Sequence, residues 1–176
     1  LKPVGLHVYD GHIHEKDLSL RQKTCAEAFA PVQKMTDDLR KAGFQQVKVV
    51  AGGSPTFPVH ASGYEAETSP GTLILWDYGY SSSFSDMDFL HAAVLFTRVV
   101  SKPANDHICI DLGHKAVASE MPQPRIMIPG IDDLSIISHS EEHMLIKTSH
   151  AGSLSPGDPL YAIPWHICPT VDRYDT

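Results

Sequence analysis

The sequence predicts an α/β segment followed by a mostly antiparallel β domain, and three observations predict it. A strand–helix–strand order fills roughly the first 80 residues. Beyond about residue 85 the chain turns to short runs rich in Val, Ile and Ala, punctuated by Pro, Gly and Asp. Finally, 176 residues with 42% hydrophobic and 20% charged content are globular usage, enough for one ordinary domain or two small ones. The expected division is 1–85 and 86–176.

The first run, Val4-Gly5-Leu6-His7-Val8-Tyr9, is apolar and ends at Asp10-Gly11, so it reads as a buried strand followed by a turn. From Asp17 to Ala42 the apolar residues Leu18, Cys25, Phe29, Val32, Met35 and Leu39 recur at threes and fours, the spacing of one helical face. Pro31 removes an internal hydrogen bond and predicts a kink or break, and Gly43 predicts the C-terminal cap. Gln46–Ala51 reads as a second strand and Thr72–Trp76 as a third, after the turn signal Ser69-Pro70-Gly71. Two strands joined through a long helix form a βαβ unit with parallel pairing. In the second half, His91–Ser101 and His107–Ser119 read as strands separated by Lys102–Asp106. Shorter strands are expected near 134–137, 144–148 and 160–163.

Charge and composition exclude several classes of function. Lys and Arg total 14 against 21 Asp and Glu, a net charge of −7. Nucleic-acid affinity is largely phosphate neutralisation by clustered basic residues, so no nucleic-acid partner is expected. No apolar run approaches the roughly 18 residues that span a bilayer, and no membrane association is expected. Cys25, Cys109 and Cys168 are too few for a disulfide framework, which points to a cytoplasmic setting. Eleven histidines favour metal or acid–base chemistry.

Four segments carry chemistry. Gly52-Gly53-Ser54-Pro55-Thr56 follows a strand, where backbone amides of Gly52 and Gly53 and the hydroxyls of Ser54 and Thr56 can converge on a phosphate; no Gly-Lys-Ser/Thr follows, so it is not a nucleotide P-loop. In Pro164-Trp165-His166-Ile167-Cys168-Pro169 an extended backbone would aim His166 and Cys168 to the same side, where they could share zinc and leave positions open for water or substrate. Tyr9 and His12 lie at the C-terminal end of the first strand, where parallel α/β folds place reacting groups. Asp77 lies just past the expected third strand, placed to contact a ligand or to cap a turn.

In order along the chain, His7–His12, Gly52–Thr56, Ser69-Pro70-Gly71-Thr72, Asp111–Ala116, Glu141-Glu142-His143, Pro156-Gly157-Asp158 and Pro164–Thr170 form a series. The series resembles the C-terminal portion of the D-threonine aldolase and D-serine dehydratase family, pyridoxal-phosphate-dependent enzymes with the alanine-racemase-like fold. The resemblance implies that residues 1–85 are the last strands and helices of a (β/α)8 barrel that binds the cofactor, and that 86–176 are a β domain bearing a metal site. It implies that Gly52, Gly53, Ser54, Thr56 and Asp77 bind pyridoxal phosphate and that His166 and Cys168 hold the metal. A soft thiolate favours zinc over the harder ions that a carboxylate would suit, and this ranks dehydration of D-serine ahead of D-threonine cleavage. Tyr9 and His12 are the catalytic candidates. The family's Schiff-base lysine precedes these motifs, and no lysine here sits in a matching context, so this piece is expected to be inactive without the N-terminal barrel portion of the same protein. The expected partners are a D-amino acid and a second copy in a homodimer. The competing reading, from another class, is a non-catalytic binding or assembly domain.

Overall fold

A computed structural model describes residues 4–175. It resolves into two compact units: residues up to Ile74 together with Ser83–Asp88, and Leu75–Ser82 together with the chain from Phe89 onward.

In the first unit, strands β1 (Gly5–Val8), β2 (Lys48–Ala51) and β3 (Glu67–Thr68) form a parallel sheet in that order. Helix α1 (Leu18–Lys41) connects the first two, as the strand–helix–strand pattern predicts. Asp17 caps α1 by accepting from the Leu20 amide at 2.8 Å. At its other end, Gly43 takes φ +101°, its amide reaches Arg40 O, and the Phe44 amide reaches Leu39 O. That is the Schellman pairing, and it needs the left-handed residue that glycine supplies without strain.

Three local expectations are corrected here. The helix is neither broken nor ended at Pro31; Pro31 and Glu27, whose carbonyl loses its partner, are both exposed, so solvent can satisfy that carbonyl. The buried stripe is Arg21, Cys25, Phe29 and Thr36, whereas Leu18 and Met35 are exposed. Arg21 can be buried because it pairs with Asp86, donates to Glu15 O at 2.9 Å and lies over the Phe84 ring. Thr72–Trp76 is not a strand: Thr72–Ile74 is a 3₁₀ turn and Trp76 has φ +54°, while the third strand lies earlier at Glu67–Thr68. The Leu73 amide is taken by Ser54 Oγ at 3.1 Å, which holds that run off the sheet. The short helix α2 (Phe57–Gly63) follows the glycine-rich loop.

The second unit begins with α3 (Tyr78–Ser81) and carries six antiparallel strands. They are β4 (Leu95–Ala104), β5 (His107–Ile110), β6 (Ile126–Met127), β7 (Ser135–His139), β8 (Met144–Lys147) and β9 (Pro159–Pro164), in sheet order β6-β9-β4-β5-β8-β7. Helix α4 (Cys168–Val171) follows β9. The core is Val99, Ile108, Ile110, Val117, Ile126, Met144, Ile146 and their neighbours, drawn mainly from one sheet face. The five expected strands are present, with β6 in addition. The turn is tighter than Lys102–Asp106, because β4 continues to Ala104 through register shifts that accommodate Pro103. The strand from His107 ends at Ile110, not Ser119; the chain then turns at Gly113, whose Cα approaches the Glu141 backbone too closely for a side chain.

Candidate functional site

The glycine-rich loop is built around a buried carboxylate. Asp10 lies just after β1 and is 6% exposed. Its Oδ1 accepts from the Gly53 amide at 3.0 Å and from Thr56 Oγ1 at 2.8 Å, and its Oδ2 lies 2.6 Å from His60 Nε2. Burial alone would raise the Asp10 pKa, but the bonds from His60, Thr56 and Gly53 hold it below the usual carboxylate range. Gly52 sits at φ +85°, and a Cβ there would lie 2.7 Å from the His60 ring, so only glycine fits without strain. His60 packs against Phe29 and Tyr64, with ring centroids at 5.1 and 5.5 Å.

The structure brings the sequence-predicted residues Gly52, Gly53, Ser54 and Thr56 together in this loop, all buried. The Gly53 amide and the Thr56 hydroxyl are engaged by Asp10. Ser54 accepts from Leu73 and keeps its own proton to donate, so its chemistry fits an anion. Tyr9 is 73% exposed, and its ring lies beside the loop, 3.2 Å from where a Gly53 Cβ would be. His12 is exposed on the turn after Tyr9.

Sequence reasoning missed a cluster. Donor atoms of Asp10, Cys25 and His60 all lie within 4.8 Å of one another, the reach of a shared metal ion. Burial and the Asp10 charge push the Cys25 thiol up to about 11, which favours the neutral thiol over a metal-ready thiolate. The three residues come from a loop, a long helix and a short helix, so no local spacing could have signalled them.

In the second unit, Asp77 is 1% exposed and grips the chain at two points. Its Oδ1 accepts from the Tyr80 amide at 2.9 Å, capping α3, and its Oδ2 accepts from the Ile167 amide at 3.0 Å. Ile167 is the residue between His166 and Cys168. Burial pushes the Asp77 pKa up, against the pull of these two backbone bonds. Both oxygens serve the backbone, a role the sequence left open as the capping alternative.

The segment itself departs from the expected geometry. Ile167 has φ −74° and ψ −35°, and α4 starts at Cys168. The extended-strand argument for a shared side therefore does not apply, because Pro169 and the Ile167 amide bond start a helix there. His166 Nδ1 lies 2.6 Å from Glu120 Oε1, which leaves Nε2 as the nitrogen available to a metal, and Cys168 is exposed. Among the described residues, no third His, Cys, Asp or Glu closes a three-donor cluster with His166 and Cys168. The segment brings an imidazole and a thiol, a donor pair whose chemistry suits a metal that keeps open positions.

Residues 92–176 match the family model described as "Putative serine dehydratase domain". A D-threonine aldolase from Arthrobacter sp is 27% identical over 97% of this chain and 46% of its own length. The solved D-threonine aldolase from Filomicrobium marinum superposes with TM-score 0.88 at 24% identity, over 98% of this chain and 47% of that one. D-threo-3-hydroxyaspartate dehydratase from Delftia sp. HT23 gives 0.74 at 17% identity, over 97% and 51%. That enzyme is matched too as a histidine-to-alanine variant and as a metal-free cysteine-to-alanine variant. The chain thus spans about half the length of these relatives, and among the described residues no helix is long and apolar enough to cross a membrane. Over nearly all its length the chain is similar to D-threonine aldolases, over residues 92–176 it matches the serine dehydratase domain, and its fold is alanine-racemase-like.

Proposed function

We propose that this chain forms part of a cytoplasmic, homodimeric lyase, dependent on pyridoxal phosphate and zinc, that dehydrates D-serine to keto acid and ammonia. The observation that carries the reading is the His166-Ile167-Cys168 segment, with its central amide pinned by Asp77. The histidine and cysteine altered in the matched dehydratase variants stand at the same spacing, and the cysteine variant there was solved in the metal-free form.

When bound, pyridoxal phosphate supplies an electron sink for loss of the α-proton, and zinc a Lewis acid that helps the 3-hydroxyl depart. His166 and Cys168 would hold the metal. Gly52, Gly53, Ser54 and Thr56 would form the loop that cradles the phosphate, with Ser54 as the direct donor, because the Gly52 amide donates to Val8 O and Asp10 takes the Gly53 amide and the Thr56 hydroxyl. Asp77 acts through the backbone by fixing Ile167 between the two metal donors. Tyr9, exposed beside the loop, and His12 on the following turn would move protons. The Schiff-base lysine would come from the N-terminal barrel portion, since the chain spans about half of its relatives.

A second reading, D-threonine aldolase activity, is favoured by the higher identity and TM-score of the aldolases. Product analysis on the full-length protein decides. Pyruvate from D-serine, abolished by a zinc chelator, is expected; glycine and acetaldehyde from D-threonine as the only products would reject dehydration. Release of neither would favour the binding-module reading.

A further inference from the structure

We propose that Glu120 is the positioning residue of the metal site, holding the His166 ring so that Nε2 is presented to a divalent cation. This rests on the proposed metal role of His166 and Cys168. Metal-binding imidazoles commonly donate their other N–H to a carboxylate, which fixes tautomer and ring orientation. Here the contact is Nδ1 to Glu120 Oε1 at 2.6 Å. An ionised carboxylate can only accept, so a neutral imidazole there carries its proton on Nδ1 and keeps the lone pair on Nε2.

The pairing is not a chance meeting of two surface side chains, because the backbones that carry them are tied together below it. Thr170, 1% exposed, donates from Oγ1 to His166 O at 2.7 Å and accepts from the Ala118 amide at 3.1 Å. One buried hydroxyl therefore joins the carbonyl of His166 to a residue two positions before Glu120. Val117 and Ala118 are buried at 0% and 4%, and Tyr174 donates to Ala116 O at 2.9 Å, which adds a second anchor on the same loop. The loop's place is thus set by packing and backbone bonds, and the Glu120 side chain itself remains 44% exposed, next to His166 at 39%. So exposed a pair contributes little to folding, which frees it to serve the site.

The test is zinc affinity of the full chain, stripped of metal and titrated with Zn²⁺ against a chromophoric chelator. Glu120→Gln and Glu120→Ala are expected to weaken zinc binding about 10- to 100-fold with an unchanged thermal midpoint, and Glu120→Asp to recover part of the loss. His166→Ala and Cys168→Ala are expected to remove measurable binding. Wild-type affinity in both Glu120→Gln and Glu120→Ala would overturn the inference while leaving the metal site intact. Loss in Glu120→Gln as complete as in His166→Ala would also overturn it, by making Glu120 a ligand. Wild-type affinity in His166→Ala and Cys168→Ala would instead remove the reading on which it rests.

Discussion

Asp10 in the first unit and Asp77 in the second are both nearly inaccessible, at 6% and 1% exposure, yet their surroundings push their ionisation in opposite directions. Asp10 receives an imidazole, a hydroxyl and an amide, and stays below the usual carboxylate range. Asp77 receives two amides, and burial raises it. What separates them is a close side-chain donor able to carry charge: desolvation acts on both, and only Asp10 has such a donor in contact. Each organises a segment the proposed function needs, the glycine loop in one case and the His166–Cys168 turn in the other.

His60→Ala leaves Oδ2 of the buried Asp10 carboxylate without its imidazole partner and is expected to cost about 3–5 kcal/mol, measured by urea denaturation. Asp77→Ala strands two amides instead of a charge, and is expected to cost about 1–3 kcal/mol for each one left unsatisfied. Equal losses would show that charge pairing does not distinguish the two sites.

A pH series sharpens the contrast at smaller amplitude. Asp10 has a folded pKa below its unfolded one, so its stabilisation is complete above about pH 4 and is lost as pH falls through the lower folded value. The advantage of wild type over Asp10→Asn should therefore grow as pH rises through the acid range. Asp77 has the reverse order: the native state holds its proton more tightly, and wild type should lose ground to Asp77→Asn as pH rises from about 4 through the raised folded value. Denaturation midpoints between about pH 3 and 7 check both slopes, and parallel slopes would refute the opposition.

The two units also differ in how far the sequence announces them. Strand order in the second unit is legible because Val- and Ile-rich runs alternate with turn residues, and Leu95, Thr97 and Val99 alternate inward as a half-buried strand should. The apolar run Thr72–Trp76 misleads, since the third strand of the first unit, Glu67–Thr68, is two polar residues long. The helix stripe misleads where Arg21 is buried through its ion pair and Met35 is left exposed. The residues of the candidate site are partly legible, because Gly52–Thr56 and His166-x-Cys168 are local motifs. Their supports are not. Asp10 reaches the loop from 43 residues away, Asp77 reaches Ile167 across 90, and Glu120 reaches His166 across 46. Such contacts are products of tertiary packing and leave no periodic trace.

The proposed metal site is His166 and Cys168, not the buried cluster of Asp10, Cys25 and His60. Cobalt(II) substitution reads this directly, because a coordinating thiolate gives a near-ultraviolet charge-transfer band. The band is expected in wild type and in Cys25→Ala, and absent in Cys168→Ala. Its survival in Cys168→Ala and its loss in Cys25→Ala would contradict the account.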